Sequence, residues 1–92
     1  MIVSFADKDT ERLANGIRVK RFEAVAARAR TKLLYLDGAG ALTDLARLPG
    51  NRLEALGGGR EGQYSIRIND QYRLCFEWRE GNAYSVEIID YH

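Results

Sequence analysis

Residues 63–90 read QYSIRINDQYRLCFEWREGNAYSVEIID, and this stretch decides the fold. Three runs within it, at 63–69, 72–78 and 83–89, place large apolar side chains at even-numbered positions and polar side chains at most odd-numbered ones. Because side chains alternate between the two faces of a β-strand, this period of two predicts three consecutive strands. The even-numbered face, which includes Tyr84, Val86 and Ile88 of the last run, is expected to meet the core.

The shared parity also restricts how the strands pair. A slip of one residue would turn every apolar side chain to the wrong face. A three-residue loop at 69–71 pairs Ile66 with Leu74 on the even-numbered face and Arg67 with Arg73 on the odd-numbered face. Like charges directly opposite each other destabilise a sheet by up to about 1 kcal/mol. The arginine pair therefore indicates a site that meets an anion.

The rest of the chain supplies helices that can cover this sheet. Residues 1–5 are apolar and suit a strand, and a short helix follows, capped by Asp7 and ended by Asn15 and Gly16. Residues 22–36 carry an apolar stripe at helical spacing, which predicts an amphipathic helix. Residues 43–47 suit another helical turn, 52–56 a short strand, and the glycines at 57–59 a turn.

This order of elements predicts an α+β fold of two layers, with N-terminal helices packed on a mainly antiparallel β-sheet meander. The helices are expected to cover the even-numbered face. The odd-numbered face, which carries Arg67, Arg73, Cys75, Glu77 and Glu87, is expected to be open at one end.

Length and composition bound the class of protein. The 92 residues have room for one domain, at 1–92, with a modest core. The chain is 46% hydrophobic and 29% charged, as is usual for soluble globular proteins. It shows neither a membrane-spanning apolar run nor a signal-peptide pattern. The single cysteine, Cys75, cannot form an internal disulfide, so we expect a reducing, cytoplasmic setting without membrane partners.

Charge is distributed unevenly, although the net charge is only +1. Residues 18–32 hold six Lys or Arg residues against Glu23 alone. Those that lie off the apolar stripe, including Arg28 and Lys32, form either an ordinary solvated helix face or a surface that faces RNA or a protein partner.

Polar groups that could perform chemistry gather near the predicted arginine pair. Arginines hold phosphate by paired hydrogen bonds, and a carboxylate or histidine can move a proton near neutral pH. No metal-ligand spacing is present, so the set suits metal-free RNA cleavage, in which a 2′-hydroxyl attacks the adjacent phosphate. The candidates are Glu54, Arg60, Arg67, Arg73, Asp90, Tyr91 and His92.

The same residues also have simpler interpretations. The arginine pair with Glu77 and Glu87 can be a charge ladder on a solvated sheet face, and a terminal histidine can be a frayed end. Strand parity places Tyr91 on the face of Arg73, whereas it turns Asp90 and His92 toward the core side unless the strand bulges.

Three stretches of the chain resemble the HigB toxins, which belong to the RelE/ParE superfamily of bacterial toxin–antitoxin systems. They are NRLEAL at 51–56, GGGREGQYSIRINDQYRLCF at 57–76 and VEIIDYH at 86–92. The opening MIVSF is similar as well, so the resemblance covers nearly the whole chain.

The resemblance implies a RelE-like fold and an endoribonuclease that cuts messenger RNA in the A site of the 70S ribosome. It implies a HigA-like helix-turn-helix antitoxin as partner, with operator DNA bound only through the antitoxin complex, and no cofactor. Arg73 would stabilise the scissile phosphate, and Arg60 and Arg67 would add phosphate contacts. Asp90, Tyr91 and His92 would form the C-terminal part of the site, with Asp90 or His92 handling the proton.

The chain departs from better-studied HigB toxins at two positions. Glu54 stands in place of a histidine, and Gly57 in place of a lysine. Glutamate can act as a base, but a lost phosphate contact costs about 1–3 kcal/mol, so we expect a weaker toxin. Two alternatives stay open: a DNA gyrase inhibitor like the ParE branch, and a feeble toxin that acts mainly as an antitoxin-binding co-repressor.

Overall fold

The structure is a computed structural model that describes residues 1–90, and a four-stranded sheet forms its C-terminal half. The strands lie in the order β1-β2-β3-β4, and each neighbouring pair is antiparallel, which confirms the predicted meander. The helices are α1 Lys8–Ala14, a 3₁₀ helix Lys20–Val25, α2 Ala26–Gly38 and α3 Leu42–Ala46, and the strands are β1 Glu54–Ala55, β2 Gln63–Arg67, β3 Tyr72–Arg79 and β4 Asn82–Asp90.

The first long hairpin has the predicted register. Ile66 pairs with Leu74, and Arg67 pairs with Arg73. The turn is closed by Asn69, whose Oδ1 accepts hydrogen bonds from the backbone N–H groups of the two residues that follow Asp70. A side chain that bonds its own backbone two residues ahead is a common way to stabilise such a turn.

The prediction for the last strand is wrong at its beginning. Cys75 pairs with Glu87 but Glu77 pairs with Tyr84, so β4 contains one extra residue. Ser85 lies in this bulge with φ of 52°, in the left-handed region. The extra residue reverses the alternation, so Tyr84 shares the face of Glu77 and the fully buried Ala83 takes its place toward the core.

The helices follow the predicted pattern with one difference. Asp7 caps α1 by accepting a 3.0 Å hydrogen bond from the backbone of Thr10, as its position predicts. The apolar stripe of 22–36 is buried, but the predicted single helix is a 3₁₀ turn followed by α2. Val25 interrupts it with φ of −119° and ψ of 6°. Spacing of three residues fits both helix types, so the stripe alone could not locate this break.

The N-terminal segment extends the sheet beyond β4. Ile2 and Phe5 form isolated parallel bridges with Ala83 and Val86. The backbone N–H of Val3 donates to the carbonyl of Ala83 at 2.8 Å. The predicted strand at residues 1–5 is therefore an extended edge rather than a full strand.

The core lies between the helices and the even-numbered face of the sheet. Phe22, Leu33 and Leu36 meet Ile66 and Leu74 there, all buried, as the two-layer prediction requires. No helix within the described part of the chain is long and apolar enough to span a bilayer.

The odd-numbered face is less open than predicted. Ser65 and Cys75 are 0% and 1% exposed, and Arg73 is 8% exposed. The carbonyl of Arg52 lies over this face, where it accepts a 2.6 Å hydrogen bond from Arg73. The chain between α3 and β2 therefore closes the middle of the face, and the predicted solvated charge ladder does not form.

Candidate active site and basic cavity

Arg73 is the most firmly held polar residue of the predicted site. It projects from β3, where its Nε donates to the hydroxyl of Ser65 at 2.7 Å. Its Nη2 donates to the carbonyls of Arg52 and Ser65, at 2.6 and 3.3 Å. Buried arginines keep their charge only when their donors are satisfied, so these three bonds explain how β3 accommodates this cation.

One nitrogen of the Arg73 guanidinium, Nη1, takes no part in these hydrogen bonds. Nη1 makes no hydrogen bond with any residue of 1–90, and no buried side-chain nitrogen there lacks a partner. Nη1 is therefore the guanidinium nitrogen that has no hydrogen-bond partner in this part of the chain. The arrangement fixes the guanidinium through Nε and Nη2 and leaves Nη1 available for a further acceptor.

Glu54 lies beside the fixed Nη2 of Arg73. It belongs to β1, opposite Ser65 in the ladder, and its Oε2 lies 3.9 Å from Nη2 of Arg73. The Glu54 side chain is 58% exposed, so the ion pair contributes little to stability. An exposed carboxylate next to a fixed guanidinium can instead accept a proton from a bound substrate.

Arg60 belongs to the same face but is already neutralised. Its Nε donates to Oε1 of Gln63 at 3.0 Å, and its Nη2 pairs with Oε1 of Glu87 at 3.2 Å.

The neighbouring Cys75 thiol has its pKa raised to about 11, mainly by burial. Glu87 also raises this pKa, whereas Arg60 and Arg73 lower it. The thiol is therefore uncharged near neutral pH and is no candidate nucleophile.

The Arg67 side chain lies at a different site from Arg73, where it meets other cations. Its guanidinium forms an ion pair with Asp70, whose side chain is 99% exposed. Arg67 also lines a cavity of about 460 Å³ together with Arg28 and Lys32 of α2. The structure therefore brings together three of the four predicted phosphate ligands, at a place separate from Arg60.

Most of the predicted basic stretch is occupied by local contacts. Arg18 pairs with Glu23, and Arg21 pairs with Asp9. Arg30 donates to the carbonyl of Leu13 at 3.1 Å and so ties α2 to the end of α1. These exposed ion pairs are compatible with a solvated helix face, and Arg28 and Lys32 differ from them because they line the cavity.

Burial is the main reason that the pKa of Lys32 is lowered, and the positive charges of Arg67 and Arg28 lower it further. Lys32 Nζ donates to the amide oxygen of Asn51, which is fully buried. A cation held among other cations in a partly dehydrated site raises the affinity of that site for anions.

The C-terminal candidates are only partly described. Asp90 pairs with Tyr72 in the β3–β4 ladder, whereas Ile89 pairs with Arg73. The Asp90 side chain therefore leaves the sheet on the face opposite to Arg73, as strand parity predicts, and it accepts a 3.1 Å hydrogen bond from Gln71. Tyr91 and His92 lie outside the described residues.

Two buried polar residues were not predicted. Ser65 accepts the Nε bond of Arg73, and Asn51 holds Lys32. The register contained a signal for Ser65, because a residue that pairs with Cys75 is the diagonal neighbour of Arg73. No sequence signal identified Asn51, since its role depends on the loop that follows α3.

Metal-ligating side chains do not cluster in the part of the chain that the structure describes. Within residues 1–90, no three side chains of His, Cys, Asp or Glu are arranged so that they could hold a metal ion. The polar groups of the site are instead cations, carboxylates and hydroxyls.

Comparison with known proteins identifies sequence relatives. The "Toxin HigB-1" of Vibrio cholerae serotype O1 is 54% identical over 52 residues, which are 56% of this chain and 55% of that protein. The chain thus matches about half the length of the Vibrio toxin. The "Endoribonuclease HigB" of Proteus vulgaris is 34% identical over 65 residues, covering 71% of this chain and 70% of that protein.

Solved structures confirm the fold. A YafQ mutant from E. coli has a TM-score of 0.66 at 13% identity, covering 98% of this chain and 91% of its own. A YoeB/ParE toxin from Agrobacterium tumefaciens has a TM-score of 0.57 at 16% identity, covering 99% and 98%.

A family model described as "RelE-like toxin of type II toxin-antitoxin system HigB" matches residues 3–92. With the solved structures supporting the α+β architecture and the sequence relatives both named HigB, the chain belongs to the HigB-like family of RelE-like toxins.

Proposed function

We propose that this protein is an endoribonuclease toxin that cuts messenger RNA on the ribosome without a metal ion. The observation that carries the proposal is the fixed guanidinium of Arg73, whose Nη1 has no hydrogen-bond partner within residues 1–90 and whose Nη2 lies 3.9 Å from the carboxylate of Glu54. The name of the Proteus vulgaris relative, an endoribonuclease, supports the same activity.

Arg73 is assigned to the scissile phosphate. In cleavage by the 2′-hydroxyl, the phosphate gains negative charge as the new oxygen–phosphorus bond forms and the bond to the 5′-oxygen breaks. A donor fixed before the reaction stabilises that charge without reorganising, which is usually the largest single contribution to catalysis. The three bonds that hold Arg73 supply this fixation.

Glu54 is assigned as the base that takes the proton of the 2′-hydroxyl. Within residues 1–90 it is the carboxylate paired with Arg73, at 3.9 Å. His92 is proposed to supply the proton that the leaving 5′-oxygen needs, in preference to Asp90, whose side chain leaves the sheet on the face opposite to Arg73; Tyr91 is proposed to orient the RNA. Arg60 and Arg67 are proposed as phosphate contacts, each after release of its present carboxylate.

Membership of the HigB-like family also supports a set of partners. We propose a cytoplasmic toxin that acts in the A site of the 70S ribosome and is neutralised by a HigA-like helix-turn-helix antitoxin. Operator DNA would then be bound only through the antitoxin complex. One domain at 1–92 would carry all these functions.

The test is cleavage of a ribosome-bound message by purified toxin that has been treated with EDTA and then desalted, so that the toxin carries no metal while the ribosome keeps its Mg²⁺. We expect wild-type protein to cut it and Arg73→Ala to leave it intact, with circular dichroism showing that the variant is folded. Full activity of folded Arg73→Ala would overturn the assignment.

Two other functions predict different outcomes. A gyrase inhibitor would arrest DNA synthesis while early translation continued, so protein and DNA synthesis are measured separately after induction. A co-repressor without toxicity would cause no arrest in cells that lack the antitoxin. The glycines at 57–59, two of which have positive φ, favour slow cleavage because they loosen the loop before β2.

A further inference from the structure

The cavity between α2 and the beginning of the β2–β3 turn is built from cations and contains no carboxylate. Its volume is about 460 Å³, within the range of small-ligand sites, which is about 300–1,000 Å³. The charged residues among its lining are Arg28, Lys32 and Arg67, and no Asp or Glu accompanies them. Three cations without an acidic neighbour in the lining indicate a site for an anion.

One buried amide organises this cavity. The side-chain oxygen of Asn51 accepts the Lys32 ammonium, and its nitrogen donates to the carbonyl of Leu45 at 3.0 Å. The backbone carbonyl of Asn51 accepts the N–H of Arg67 at 2.6 Å. Asn51 is 0% exposed, so the position of Lys32 relative to β2 is fixed before any ligand arrives.

The other wall of the cavity suits a planar, partly apolar group. Tyr35 is 39% exposed, its ring centre lies 5.6 Å from Lys32 Nζ, and Pro49 lines the cavity across from α2. An exposed aromatic ring beside fixed cations is the usual combination for binding single-stranded RNA, because the cations meet phosphates and the ring stacks on a base.

We propose that this cavity binds one nucleotide unit of RNA, with its phosphate among Arg28, Lys32 and Arg67 and its base against Tyr35. The inference deepens the proposed function and rests on it for the identity of the ligand. Arg67 and Arg73 are partners across β2 and β3, so the cavity lies at the same end of the hairpin as Arg73. We expect RNA held in the cavity to continue toward the Arg73 site.

The Asp70 carboxylate competes for Arg67 but does not prevent binding. Its side chain is 99% exposed, so the ion pair is weakened by solvent and salt. The Arg28 side chain makes no hydrogen bond within residues 1–90 and is available without rearrangement.

The test uses amide NMR signals of Thr31, Tyr35 and Gly50 during titration of the full chain with uridine 3′,5′-bisphosphate. We expect saturable shifts for the wild-type protein. The affinity obtained from them should be at least about tenfold lower in the double variant Arg28→Gln, Lys32→Gln, which has lost two charged contacts. The double variant Lys8→Gln, Lys20→Gln removes the same charge from exposed sites and should bind as wild type does.

Inorganic phosphate and hexaglutamate are the comparison ligands. The stacked base is supported if the wild-type protein binds inorganic phosphate more weakly than the bisphosphate, and if Tyr35→Leu binds the two ligands equally. Equal binding of phosphate and bisphosphate, unchanged binding in the cavity variant, or binding of hexaglutamate alone would overturn the proposal, and the last result would identify a surface for an acidic protein.

The cavity proposal and the nuclease proposal can fail independently. Bisphosphate binding in the cavity by a protein that cuts no RNA supports the cavity proposal and contradicts the nuclease proposal. Cleavage that depends on Arg73 but is indifferent to Arg28 and Lys32, with no bisphosphate binding, does the reverse.

Discussion

Arg73 and Arg28 belong to two sites near the same end of the β2–β3 hairpin, and their side chains are held in opposite ways. Arg73 is 8% exposed, and its Nε and Nη2 donate hydrogen bonds to Ser65 and to the Arg52 carbonyl. The Arg28 side chain, in the basic cavity, is exposed and has no hydrogen-bond partner within residues 1–90. Lys32 and Arg67 of the same cavity are held by Asn51 and Asp70, so Arg28 is its least constrained cation.

The difference matches two separate tasks. A group that stabilises a transition state gains most from being fixed, because no reorganisation is then needed as charge develops. A group that captures an RNA backbone gains from long-range attraction, which depends on net charge more than on exact geometry.

Replacing Arg73 should have the largest effect. Arg73→Lys keeps the positive charge but cannot reproduce the forked contacts to Ser65 and Arg52. We expect cleavage to fall by about 100- to 1,000-fold, and stability to fall by about 1.5–3 kcal/mol as buried charged hydrogen bonds are lost. Ribosome-programmed cleavage and urea denaturation measure the two effects. Wild-type cleavage by Arg73→Lys would show that fixation is unimportant.

Ser65→Ala should have a smaller effect of the same kind. It removes the acceptor of Arg73 Nε while it leaves both carbonyl contacts. We expect cleavage to fall about tenfold at saturating message, with binding unchanged, because one charged hydrogen bond is lost. Thr43→Ala, an exposed hydroxyl in α3, is the control. A loss of binding instead of turnover would contradict the positioning role.

Removing a cavity cation should change binding rather than turnover. We expect Lys32→Gln or Arg28→Gln to weaken RNA affinity about fivefold and to reduce the salt slope of log affinity by roughly 0.7, the value for one contact to single-stranded nucleic acid. Affinity measured across a range of salt concentrations tests this. An unchanged slope with reduced turnover would assign these residues to catalysis.

Cys75 should show the smallest effect near neutral pH. Because its pKa is raised to about 11 by burial, the folded protein should react slowly with iodoacetamide, and the urea-unfolded protein quickly. Above pH 9.0 the unfolded thiol ionises first, so unfolding free energy should fall as pH rises from 9.0 through about 11. Fast alkylation of the native protein would mean that the odd-numbered face opens.

The architecture was predictable because it depends on patterns with a fixed period. Even-numbered apolar residues fixed the β2–β3 register, and Asp7 marked the first helix. The bulge at Ser85 was not predictable, since an unpaired residue leaves no mark on an alternating sequence. Its consequence, the exchange of Tyr84 for Ala83 at the core, followed from that one insertion.

The site was predictable only in its residue types. Register brought Arg67 and Arg73 opposite each other, but side-chain contacts then drew them to different partners, Asp70 and Ser65. Arg28 and Lys32 were identified by charge alone, and their meeting with Arg67 depends on a loop that has no periodic signal. Contacts between distant loops follow from packing, which a single sequence does not encode locally.

End-group analysis of the cut message tests the central assignment most directly. If Arg73 stabilises a phosphate attacked by the neighbouring 2′-hydroxyl, wild-type toxin stripped of metal beforehand leaves a 2′,3′-cyclic phosphate and a 5′-hydroxyl, and a single 2′-deoxy substitution at the cut site prevents cleavage. A 3′-hydroxyl with a 5′-phosphate, or cleavage that tolerates the 2′-deoxy nucleotide, would contradict it.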